Sequence, residues 1–353
     1  MSRPFWLEAW SFLASVRFTV ALLPILGGGA VLASSRWTTA THALAPGLFG
    51  LALNFLAALS RHPAFRRQPP LLVFHAGLAC VVVLIGLGRL TYLKGWVEVA
   101  DGNWFEGKLH GVHHGPWSPL ETLETLRFRN DGFTIRYAPG RSRQETDNPV
   151  TWLDRNGQFH TATIGDNHPL VIQGFRFTTS HNKGFVPRFL WMPADGGTPV
   201  RGAVHLPSYP SVENQVILWQ IPGTGLWVHT HLLIDESPLD PTRTSWFQIP
   251  PRFRLRVKVG EVAGELHSGD SLALPGGVLR FEELGKWMGY KVFYDPTMPW
   301  LLAASLVTVA GLFWQLSYRF RGIPWDRDEP PVVPANPTAA KQRIDPDGPS
   351  LGG

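Results

Sequence analysis

The chain has 353 residues, with 32 basic and 27 acidic side chains, a formal charge of +5 and one cysteine. A single cysteine forbids an internal disulfide and any two-thiol exchange, so a disulfide oxidoreductase is excluded on composition. The modest positive charge gathers beside apolar runs, as it does in membrane anchors, and gives no ground for a nucleic-acid partner.

The apolar residues are not spread as two soluble cores would spread them. They form four runs: residues 18–34, 43–59, 71–87 and 298–316. At 1.5 Å per residue each gives about 25 to 29 Å of helix, close to the roughly 30 Å of bilayer hydrocarbon. Four transmembrane helices are therefore expected, three of them within residues 1–91 and the last within 297–318. The first run follows Arg3 and Arg17 and precedes Ala33, Ser34 and Ser35, as a signal peptide would. Its length and the two spans after it favour a retained anchor.

Basic residues in short connections remain in the cytoplasm. Arg17 precedes the first run, Arg61, Arg66 and Arg67 separate the second from the third, and Arg319, Arg321 and Arg327 follow the fourth, whereas the first link carries only Arg36. This puts both termini inside and residues 92–296 outside. That outer segment holds alternating patterns such as FTIRY at 133–137, LVIQGFRF at 170–177, VILWQ at 216–220 and RFRLRVKV at 252–259, with Trp96 to Val99 and Tyr290 to Tyr294 also reading as strands. Bounded by Gly, Pro, Asn and Asp, they indicate antiparallel sheet. The expected fold is an α-helical membrane protein with four transmembrane helices and a large extracytoplasmic all-β domain, sandwich- or barrel-like. The Pro-rich, charged stretch 319–353 has too little to bury and is expected to be a disordered cytoplasmic tail.

No phosphate loop, nucleophile elbow or zincin motif is present, so no catalytic residue is assigned. Histidine carries the remaining chemistry. His75 lies inside the apolar run LLVFHAGLACVVVLIGL, where an ionisable group is costly and by default a functional candidate. It can bond a carbonyl of a neighbouring helix, reach headgroups, or ligate a metal. Asn54 in the second span is a candidate bonding partner for it. Cys80 reads as a small packing residue. In KLHGVHHGPWSP, His110, His113 and His114 are weaker metal candidates on what reads as a flexible loop, and His229 and His231 share a strand face without a third ligand. Arg252, Arg254, Arg256 and Lys258 fall on one strand face, either solvated or facing an acidic partner.

Several stretches, in order and over most of the chain, resemble the ResB (CcsB) family of cytochrome c biogenesis proteins of the system II pathway. IGDNHPLVIQGFRFTTS at 164–180 resembles the family hallmark through Asn167, Pro169, Leu170 and Gly174. GYKVFYDPTMPW at 289–300 resembles the Asp-Pro-Gly start of the final helix, with Thr297 in the glycine's place. FHAGLACVVVLIGLGRL at 74–90 resembles the family's Phe-His segment. The resemblance implies a bacterial cytoplasmic-membrane protein with its β domain on the periplasmic side. It would be a subunit that, with a CcsA-type haem-handling partner, moves haem b across the membrane and presents it to apocytochrome c, beside thiol-reducing proteins of the pathway. The tryptophan-rich motif of that partner is not found in this sequence. His75 would then be an axial haem ligand, binding metal through the haem iron, with the second ligand on another chain. The alternative is a non-catalytic scaffold whose β domain docks apocytochrome or the partner while His75 only packs.

Overall fold

The computed structural model describes residues 5–35 and 39–320. The stretch 321–353, expected as a disordered tail, lies outside the described residues, as do Arg3, Arg36, Arg321 and Arg327.

The N-terminal region is helical: α1 (Phe5–Leu13), α2 (Val16–Ser34), α3 (Ala40–Arg61), a one-turn α4 (Pro63–Arg67) and α5 (Pro69–Thr91). The strands β1 (Leu93–Ala100) and β2 (His110–His114), the short α6 (Leu120–Thr125), and the strands β3 (Phe128–Asn130), β4 (Thr134–Ala138), β5 (Ser142–Leu153), β6 (Phe159–Ile164), β7 (Leu170–Ile172), β8 (Phe175–Pro193) and β9 (Val200–Ala203) follow. Then come β10 (Gln215–Gln220), β11 (Trp227–Ile234), β12 (Ser245–Trp246), β13 (Phe253–Val259), β14 (Val262–Leu266), β15 (Ser271–Leu274), β16 (Gly277–Tyr294) and the last helix, α7 (Met298–Phe320).

Helices α2, α3, α5 and α7 are long and apolar enough to cross a membrane, and the chain is a membrane protein. Each starts or ends a few residues beyond its apolar run because polar residues extend it. Ser15 caps α2 by accepting from the Phe18 amide, and Thr39 caps α3 by accepting from the His42 amide. Packing between spans uses small residues, since lipid gives apolar side chains no reason to leave it. A Cβ on Gly311 of α7 would stand 2.7 Å from the Phe74 amide nitrogen of α5, so the two backbones touch there. Gly77 meets Thr308 in the same way.

The β region contains three antiparallel sheets. The largest runs β2-β1-β16-β8-β7, with β15 on β16 and β9 on β8; the others run β10-β11-β13-β14 and β12-β4-β5-β3, with β6 on β5. Its spine is the pairing of β8 with β16, 19 and 18 residues long. Phe105, Phe128, Phe177 and Tyr290 meet in the core at centroid distances of 5.1 to 5.5 Å, mostly edge to face. The polar atoms among them are satisfied. Tyr290 Oη donates to Asn148 Oδ1 at 2.7 Å, Asn148 Nδ2 donates to Asn130 Oδ1 at 2.8 Å, and Asn130 Nδ2 donates to the Val99 carbonyl at 2.9 Å. That chain ties β1, β3, β5 and β16 together, and burial pushes the Tyr290 hydroxyl strongly up from its ordinary range.

Two local expectations change. LVIQGFRF is not one strand but a hairpin, β7 turning into β8 at Gln173 (φ 51°) and Gly174 (φ 86°). Two successive positive φ values make the tight turn that suits the twist of paired strands. The stretch containing His110, His113 and His114 is not a free loop either. It forms β2, anchored on β1 with Leu93 opposite His114 and Trp96 opposite His110.

Candidate functional site

His75 stands in the second turn of α5, half-buried, its ring edge-on to Phe74 and to Phe65 of α4 with both centroids at 4.9 Å. Its Nδ1 lies 2.9 Å from the Leu71 carbonyl oxygen one turn back. A carbonyl only accepts, so Nδ1 carries a proton, and in the neutral tautomer of the ring Nε2 keeps its lone pair. Fixing one ring nitrogen by a carbonyl so that the other can ligate is how metal-binding imidazoles are commonly oriented. Asn54 is not the partner: its Nδ2 donates to the Leu13 carbonyl at 2.6 Å and its Oδ1 accepts from Thr19, so it joins α1, α2 and α3 instead. Its short amide reaches unbonded groups at the α1–α2 break, which an intact helix would not offer.

Around this imidazole the sequence reading missed a second one. His62, between α3 and α4, also meets Phe65, 6.4 Å between centroids, so that one phenylalanine ring touches both imidazoles. Arg61, Arg66 and Arg67 stand exposed at the same end of the spans. His62 could have been noticed from its place between two arginine-bearing segments, but it lies outside any apolar run and so carried no cost signal. The imidazole of His75 is thus flanked by two aromatic rings, with three exposed arginines at the same end of the spans.

The other histidines are arranged differently. His110 packs at a tilt against Trp96 at 4.8 Å, and His114 Nδ1 lies 2.9 Å from the Gly115 carbonyl oxygen and 3.0 Å from Ser118 Oγ. Among the described residues no three His, Cys, Asp or Glu side chains gather as a metal site. His229 and His231 share the outer face of β11, opposite Lys258 and Arg256 of β13. The basic stripe there is laced with acids: Arg254 pairs with Asp235 at 2.9 Å and Arg256 with Glu265 at 3.3 Å. Burial, and after it the neighbouring His229 and Arg256, holds His231 below its ordinary range. Cys80 is exposed on α5.

Deep in the β region, Lys183 lies over the rings of Tyr137 and Phe247 at 5.3 and 5.6 Å. Burial, aided by Arg143, pushes its ammonium down to about 8, and burial pushes the Tyr137 hydroxyl up to about 12. Lys286 is lowered by burial too, its Nζ donating to the Phe133 carbonyl at 2.7 Å.

The three stretches that resemble a family, far apart in sequence, meet in space. Phe175 of the first packs at a tilt against Tyr294 of the second at 4.7 Å, and a Cβ on Gly174 would stand 3.1 Å from the Tyr294 ring. Asp295 and Thr297 of the second lie against Gly88 of the third. The first also holds Arg143 of β5, through Asp166 at 3.1 Å, and Arg143 in turn donates to the Ser180 carbonyl at 2.7 Å.

Compared with known proteins, residues 65–265 match the model of the ResB-like family. The chain is 25% identical over 252 residues to the "Cytochrome c biogenesis protein CcsB" of Synechococcus elongatus, and equally to the protein of that name from a further Synechococcus strain. Each match covers 70% of this chain and 50% of the relative, so the chain spans about half the length of the curated relatives it matches.

Proposed function

The chain belongs to the ResB-like family, and from that premise we propose that it acts in cytochrome c biogenesis as a haem-delivering membrane subunit. It takes haem b at the inner end of α5, on His75, and works with a CcsA-type partner that supplies the second axial ligand and, with it, attachment to apocytochrome c. Both termini face the cytoplasm and the β region faces the periplasm, in accord with Arg17, Arg61, Arg66, Arg67 and Arg319 at one end of the spans.

The observation that carries this reading is the His75 ring itself, with Nδ1 spent on the Leu71 carbonyl and Nε2 left as a donor in an apolar cradle. Haem iron accepts such a neutral nitrogen, which costs little to hold in a membrane. Phe65 and Phe74, beside His75, would flank the macrocycle, and the exposed Arg61, Arg66 and Arg67 would offer cations to its carboxylates. No side chain of this chain is assigned a bond-making step; it binds, orients and releases.

The test is co-purification with a CcsA-type partner, recording the haem absorption spectrum and complex yield together. His75→Ala is expected to lower haem content while leaving the complex assembled. Unchanged haem content and cytochrome c yield would leave the scaffold reading, in which the Phe65–His75–Phe74 contact is only packing.

A further inference from the structure

A second site lies at the opposite end of α5, where the spans meet the β region. A cavity of about 310 Å³ is lined by Ile85, Gly88, Arg89 and Tyr92 from the end of α5, Lys94 from β1, Phe293 from β16, and Asp295, Thr297 and Leu301 at the start of α7. It sits where two of the family-like stretches meet, and the proposed haem role does not use it.

Its chemistry divides into three. Arg89 and Lys94 present two cations, and neither is in an ion pair among the described residues. Asp295 presents a carboxylate used on one side only: Oδ1 accepts from the Thr297 amide at 2.9 Å and from Thr297 Oγ1 at 2.6 Å, while Oδ2 has no hydrogen bond among the described residues. Ile85, Phe293 and Leu301 supply apolar wall, and below them α7 exposes Leu302 and Leu306 to the lipid, with Trp300, 66% exposed, beside them. Such a tryptophan belongs at headgroup depth.

We propose that this cavity seats one outer-leaflet phospholipid whose headgroup carries both a phosphate and a primary ammonium, as in phosphatidylethanolamine. Arg89 and Lys94 hold the phosphate oxygens, Asp295 Oδ2 accepts from the ammonium, and the acyl chains run down the exposed face of α7. Phosphatidylglycerol would satisfy the two cations but could offer Oδ2 only neutral hydroxyl donors, weaker partners for a carboxylate than an ammonium, and a quaternary ammonium would bring no N–H donor to it. The occupied cavity would bind α5, β1, β16 and α7 together at the one place where β sheet passes directly into two membrane helices.

The experiment uses the full chain in nanodiscs of equal parts phosphatidylethanolamine and phosphatidylglycerol, and in others with phosphatidylcholine replacing the first. Lipid retained after detergent extraction is counted by native mass spectrometry. Phosphatidylethanolamine is expected to be retained over both competitors. Arg89→Gln with Lys94→Gln should cut retention roughly fivefold to tenfold, the scale of partly screened charge-assisted hydrogen bonds. Asp295→Asn keeps an oxygen for Thr297 yet removes the charge, so it should erase the preference over phosphatidylglycerol while lipid is still retained. Lys94→Gln alone, at an exposed position, gives a smaller fall of the same kind if the double variant does not fold. Equal retention of all three lipids, preference for phosphatidylglycerol in the unmodified chain, or indifference to these substitutions overturns the proposal. So does displacement of the lipid by haemin that needs Arg89 and Lys94 but not Asp295, which would make the occupant a haem carboxylate. Haem content lost on His75→Ala but not on Arg89→Gln keeps this test separate from that of haem delivery.

Discussion

Between the spans, contact is made by glycines against backbone, Gly311 on Phe74 and Gly77 on Thr308, and most large side chains of α2 and α7 face outward. In the β region the reverse holds: phenylalanines, Trp287 and Tyr290 are fully buried and even a lysine is enclosed. The same chain thus packs by two rules because it sits in two solvents. Water drives apolar surface inward at roughly 25 cal/mol per Å² buried, whereas lipid gives no such return and leaves close approach and a few polar bonds to hold helices together. An imidazole well inside a span, as His75 is, is correspondingly conspicuous, whereas in the β region an enclosed ionisable group can be structural.

Truncating the β core should show the largest effect. Phe177→Ala, which removes a ring packed on Phe105 and Phe128, is expected to cost about 3 to 5 kcal/mol. It should lower the thermal midpoint of the β-sheet circular dichroism signal while the helical signal in detergent persists. Simultaneous loss of both signals would mean that the two regions unfold as one unit and would break the contrast.

The buried lysine gives the next effect. Lys183 is depressed to about 8 in the folded chain from an ordinary 10.5, so below pH 8 both states are protonated and the cost of enclosing the charge is felt in full. As pH rises above 8 the folded state releases its proton first, and stability grows by about 2 kcal/mol up to pH 10. Lys286 acts in the same sense, while Tyr137, raised to about 12, and Tyr290, raised further, oppose it as pH approaches and passes 10. Chemical denaturation at pH 8, 9 and 10 should show this rise, and Lys183→Met should flatten most of it. A rise of equal size in that variant would assign the slope to other groups.

The smallest effect belongs to the spans. Gly311→Ala places a methyl group against the Phe74 backbone and should cost about 1 kcal/mol, read as weaker α5–α7 association by cysteine cross-linking, with the β-sheet melting point unchanged. Unaltered cross-linking would show that lipid-facing side chains, not the glycine contact, set that pair.

How much of this was legible depends on the range over which each signal acts. The four spans were readable because each is a continuous apolar run, and their ends were placed short because caps such as Ser15 and Thr39 are polar. Strands β8 and β16 were glimpsed only in fragments. Their inward face continues through bulges, such as that between Phe281 and Glu283, which shift the alternation a periodic reading depends on. The turn at Gln173–Gly174 was hidden because apolar alternation runs straight through it, and its first positive φ falls on a residue that does not announce one.

The sequence by itself determined the membrane character, the antiparallel β region and the singularity of His75, because cost of burial and side-chain periodicity are local properties that composition and spacing carry. Only the tertiary structure decided that His75 bonds its own helix at Leu71 and not Asn54, that His62 and His75 share contact with Phe65, and that Arg89, Lys94 and Asp295 line one cavity. Each of those depends on which distant segments the packing of α5 against α3, α4 and α7 brings within a few ångströms, and no pattern along a single segment encodes that.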